Sequence, residues 1–75
     1  MNHKKEIAQR IIEIIEATQL SHREFSALCQ ISPQTPYHWE LGRQYPNANS
    51  LLKLAQHLNI NPNYVLCLSD ELLLP

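Results

Sequence analysis

The chain has 75 residues, 44% hydrophobic and 17% charged, with six Lys and Arg against seven Asp and Glu for a formal net charge of −1. That length holds one domain, 1–75, whose modest core dimerisation would help, and no apolar run approaches the roughly 20 residues that span a bilayer. A single Gly and few β-branched or aromatic clusters argue for helices over a β fold.

From residue 4 to 18, Ile7, Ile11, Ile14 and Ile15 recur at helical spacing with Ala8 and Ile12 beside them. Lys4, Lys5, Glu6, Glu13 and Glu16 fall mostly on other faces and read as solvated. Isoleucine is β-branched, so burial rather than local propensity must hold this helix. Leu20 plugs the junction that follows. Ser21 then caps a second helix over 22–29, with Phe25, Leu28 and Cys29 three and four apart. Gln30 and Ile31 interrupt it, and a left-handed Gln30 would cost on the order of 1 kcal/mol.

Ser32 followed by Pro33 predicts a third helix over 33–40, with a side-chain cap and a proline at the first helical position. Trp39 falls on its core side and Gly42 ends it in a left-handed turn. Pro36 opposes this start. At the fourth helical position it deletes the bond back to Ser32 and crowds that carbonyl, so the helix either begins later or opens as a looser turn. After the loop RQYPNANS, Asn47 caps a helix over 48–58 with Leu51, Leu54, Ala55 and Leu58 at core spacing and Leu52 flanking. Asn59 is its left-handed stop. Asn61 and Pro62 repeat the cap-plus-proline start for a last helix over 62–68. Two readings stand for the final SDELLLP: the leucines pack back onto the first helix, or they join a homodimer contact. The result is an all-α domain of five helices.

Cys29 and Cys67 stand far apart in apolar surroundings and pair with no histidine at ligand spacing. They read as small buried hydrophobes of a reducing cytosol, with neither metal nor cofactor. No acid pair, nucleophile beside a base or phosphate-cradling glycine loop can be assembled, so an enzyme is not expected. The N-terminus lacks the apolar run of a signal peptide, and a cytoplasmic location is expected.

The two short helices between Leu20 and Gly42, with their break, form a helix-turn-helix, whose second helix can enter the DNA major groove. The chain resembles the phage lambda repressor-like helix-turn-helix family, also called the xenobiotic response element family. The residues that carry the resemblance are LSHREFSALCQIS, Thr35, Trp39 and Glu40 with Gly42, then Pro46, LLKLAQHLNI and NPNYVL, from about Ile7 to Leu66. It departs from the family at Gln30, where a Gly is common, and at Pro36, where an aliphatic residue is usual.

The resemblance implies a transcriptional regulator, commonly a repressor dimer on palindromic double-stranded DNA. It places Ser32, Pro33, Gln34, Tyr37 and His38 at base edges, and Ser21, His22, Arg23, Arg43, Gln44, Asn47 and Asn49 at phosphates. Gln34 has the chemistry to donate to and accept from adenine. For Tyr37 two readings remain: a DNA-facing ring, or packing on the neighbouring loop. His22 reads more as a hydrogen-bonding group near a helix start than as a ligand. Tyr45 and Tyr64 read as core or dimer-contact residues. The apolar end, with Tyr64, Leu66, Leu72 and Leu73, is the expected dimer contact. A near-neutral charge and a recognition helix without Arg or Lys motivate an alternative, since some family members are antitoxins that bind a toxin: a protein-interaction module of the same fold.

Overall fold

A computed structural model describes residues 3–75. The elements in order are α1 His3–Thr18, α2 His22–Cys29, α3 Thr35–Glu40, α4 Ala48–Leu58 and α5 Pro62–Val65. Among the described residues, three helix starts carry a side-chain cap. Ser21 Oγ accepts from Glu24 N while Glu24 Oε1 accepts from Ser21 N, a reciprocal capping box. Asn47 Oδ1 accepts from Ser50 N, and Asn61 Oδ1 accepts from Asn63 N ahead of Pro62.

The stops share one device. Gln19, Gln30, Asn59 and Cys67 all take positive φ between 57° and 63°, and Gly42 sits at 71°. At the end of α2, Ile31 N donates to Ser26 O and Gln30 N to Ala27 O; at the end of α3, Arg43 N donates to His38 O and Gly42 N to Trp39 O. Both are paired bonds that satisfy the last carbonyls of a helix. With one Gly to spend, the chain stops most of its helices on Gln or Asn.

Two helix bounds differ from the sequence expectation by more than one residue. The third helix begins at Thr35, not Pro33, because Pro36 then falls at the second helical position, where a missing N–H removes no bond. Residues Ser32 to Thr35 form a turn closed by Thr35 N donating to Ser32 O at 3.0 Å. The last helix ends at Val65 instead of 68, with Cys67 already left-handed.

The core joins Ile11, Ile14 and Ile15 of α1 to Phe25, Cys29, Trp39, Leu54, Ile60 and Val65. Trp39 is buried, as its helical phase predicted. Leu28 lies at the surface instead, and the flanking Leu52 is exposed as well. The tail turns back rather than hanging free: Ile60 and Leu73 form an antiparallel bridge, Asn61 N donates to Leu72 O, and Leu74 N donates to Asn59 O. Leu72 packs on the core, while Leu73 points outward at 53% exposure. Arg10 of α1 reaches the tail at Ser69 O and Asp70. Leu72 thus returns to the core while Leu73 stays exposed, and the backbone of the tail is bonded to the α4–α5 junction.

Candidate nucleic-acid interface

The α2–α3 unit presents Ser32, Pro33 and Gln34 as an exposed turn leading into α3. Gln34 is the residue before the helix, and its side chain makes no capping bond. Its amide oxygen instead accepts from Ser32 Oγ at 2.9 Å, leaving one oxygen lone pair and both amide hydrogens for a partner. One turn further, Tyr37 is 52% exposed and His38 is half-buried. Four of the five expected base-facing residues thus share one exposed stretch, with His38 at its margin.

The expected phosphate-facing residues flank that stretch. Arg23 is exposed in the first turn of α2, and Arg43 and Gln44 are exposed directly after α3. Two backbone bonds from Arg43 N and Gln44 N to His38 O hold that loop against the helix end. Asn49 is exposed, and Asn47 is exposed while capping α4. Ser21 is exposed and committed to the capping box, its Oγ accepting from Glu24 N. The same capping box puts a carboxylate beside it: backbone and hydroxyl bonds from Ser21 hold the Glu24 acid below its ordinary range, so it stays ionised.

His22, expected near a phosphate or as a hydrogen-bonding group at a helix start, is engaged within the chain. Its ring stacks on Tyr37, with centroids 4.1 Å apart and planes 12° from parallel. Its Nε2 lies 2.8 Å from Glu40 Oε1. Tyr37 accordingly packs on α2 with one ring face and remains open on its other side. Nothing in local sequence signals this contact, since it joins two helices across the break.

Two lysines extend the positive margin. Lys4 lies 5.8 Å from the Tyr45 ring, and Lys4 and Lys5 line an open recess with Glu40 and Gly42 at the end of α3. Tyr45, expected in the core or at a dimer contact, is 48% exposed there. Lys53 donates to Gln30 O across from α4. The acids Glu13 and Asp70 belong elsewhere: Glu13 accepts from Tyr64 Oη and Asp70 pairs with Arg10. Two further acids, Glu24 and Glu40, lie on the α2–α3 unit itself.

A family model for helix-turn-helix domains matches residues 8–71. The chain belongs to that family. No curated protein and no solved structure matches it. In the helix-turn-helix domain α2 is the first helix and α3 the second, and membership points to double-stranded DNA as the partner. The expected dimer residues lie apart from this surface, on α5 and the tail. Tyr64 is engaged within the chain, its hydroxyl on Glu13 and its ring 4.2 Å from the Arg10 guanidinium. Leu66 is 40% exposed, Leu68 75% and Leu73 53%. Among the described residues no cluster of His, Cys, Asp and Glu could hold a metal, and no helix is long and apolar enough to cross a membrane.

Proposed function

We propose that this helix-turn-helix protein is a sequence-specific transcriptional regulator of the lambda repressor-like kind, a cytoplasmic repressor that occupies operator DNA as a homodimer and catalyses nothing. The observation that carries this reading is the exposed Gln34 leading into α3, oriented by Ser32 and followed one turn later by the open edge of Tyr37. Gln34 reads adenine through N6 and N7, while Tyr37 and His38 supply neutral donors. Arg23, Arg43, Gln44 and Asn49 hold the backbone and set the register. Without an Arg or Lys on α3, selectivity leans on these neutral groups and on the shape of the duplex.

Footprinting on DNA flanking the protein's own gene tests this reading. A protected stretch of two related half-sites supports it; no protection at low ionic strength sinks it.

A second reading rests on the exposed leucines Leu66, Leu68 and Leu73. They supply an apolar patch for a second copy, or for a toxin if the protein is an antitoxin. Light scattering at tens of micromolar separates the outcomes: a dimer favours the first, whereas a monomer that co-purifies with another protein after nuclease treatment favours the second.

A further inference from the structure

Tyr37 and Glu40 stand three residues apart on α3, so both side chains rise from one face of that helix. His22, the first residue of α2, sits between them. Its ring covers one face of Tyr37 at 4.1 Å, and its Nε2 lies 2.8 Å from the Glu40 carboxylate. A carboxylate only accepts, so Nε2 carries the proton and donates. Both partners of that bond are largely covered, with side-chain exposures of 27% for His22 and 21% for Glu40. The imidazole is therefore fixed at its edge by Glu40 and at its face by Tyr37. It has little freedom to turn toward a phosphate.

We propose that His22 is a positioning residue for base reading: it holds the Tyr37 ring in one orientation on the DNA-facing surface and sets selectivity without touching DNA itself. The inference rests on the DNA-binding reading above. A tyrosine that swings freely must be ordered when it docks, and that ordering subtracts from the specific contact. A ring already stacked on a clamped imidazole meets the base edges in place. Stacking of this kind also gives the contact a direction, because it leaves the hydroxyl edge and one face of the ring for the duplex.

The test compares the full chain and three variants, His22→Ala, His22→Phe and Glu40→Gln, on a duplex selected from a random pool and on an unrelated duplex. His22→Ala is expected to lower affinity for the selected duplex about two- to tenfold, the range of one aromatic pair. Affinity for the unrelated duplex and the salt dependence of binding should not change. His22→Phe, which keeps a ring to stack on, should recover most of the selectivity, and Glu40→Gln, which still accepts from Nε2, should retain it. Thermal unfolding confirms that each variant is folded. A His22→Ala variant that weakens both duplexes alike, with a shallower salt slope, would make His22 a phosphate contact and overturn the proposal. Unchanged selectivity in His22→Ala would overturn it too while leaving the DNA-binding reading intact. Absence of binding by the unaltered chain would remove both together.

Discussion

His22 and Tyr37 meet face to face, 4.1 Å between ring centroids and 12° from parallel, across the break that separates α2 from α3. With Glu40 bonded to the same imidazole, the contact links the first residue of α2 to two turns of α3. The two helices thus touch on their outer side through the stack and on their inner side through the core around Phe25 and Trp39. The relative angle of the helix-turn-helix, which decides how α3 meets a groove, is held from both sides.

Base and phosphate contacts should separate cleanly by mutation. Gln34→Ala is expected to cost about 1–3 kcal/mol on the preferred duplex and to relax the preference at one base pair. Arg43→Ala should weaken binding to all sequences alike and reduce the slope of log affinity against log salt by about one. Binding titrations on matched and single-substituted duplexes read both, and identical behaviour of the two variants would contradict the division of roles.

Gln30 holds φ 58° at the end of α2, a conformation that a side chain with a Cβ adopts at a cost. Gln30→Gly should therefore stabilise the folded chain by up to about 1 kcal/mol, offset in part by the greater freedom of glycine in the unfolded chain. The Lys53 bond to this residue goes to the backbone carbonyl and survives the change. Urea unfolding measures the shift; a loss of stability would mean that the Gln30 side chain contributes something its exposed position does not show.

Ser26 lies fully buried on α2, and its hydroxyl has no hydrogen-bond partner. A buried hydroxyl without a partner forfeits its bond to water, so Ser26→Ala should raise stability by about 1 kcal/mol with no change in volume that the core must absorb. Chemical denaturation of the variant checks this. Destabilisation would show that the hydroxyl is satisfied in solution.

Burial pushes the Cys29 thiol up to about 11. Ordinary thiols ionise near 8.5, so between there and 11 the unfolded chain releases a proton that the folded chain retains. Stability should fall as pH rises through that window, and Cys29→Ala should remove this part of the loss. At neutral pH Cys29 should resist alkylation until the protein unfolds, whereas the half-buried Cys67 reacts first. Alkylation followed by peptide mapping tells the two apart.

What the sequence conveyed was local. Ser21, Asn47 and Asn61 bond to amides two or three residues away, and Gly42 and Asn59 end their helices by their own backbone preference, so each could be read where it stands. The start of α3 was harder because two prolines compete for it: Pro33 favours an early start, and Pro36 excludes one. Only the backbone bond that Pro36 would have to lose decides between them. The stack of His22 on Tyr37, the placement of Lys4 beside Tyr45 and the pairing of Leu73 with Ile60 join residues far apart in the chain. Their periodicity carries no trace of these partners. The scaffold was therefore legible, and the surroundings of the candidate interface were not.

Binding of the unaltered chain to a duplex enriched from a random DNA pool, titrated across a range of salt concentrations, tests the central claim most directly. The account predicts one enriched sequence with adenine at a position that Gln34→Ala ceases to distinguish, and an affinity that falls linearly in log salt as several phosphates are released from their counterions. No enrichment, or an affinity indifferent to salt, would contradict it.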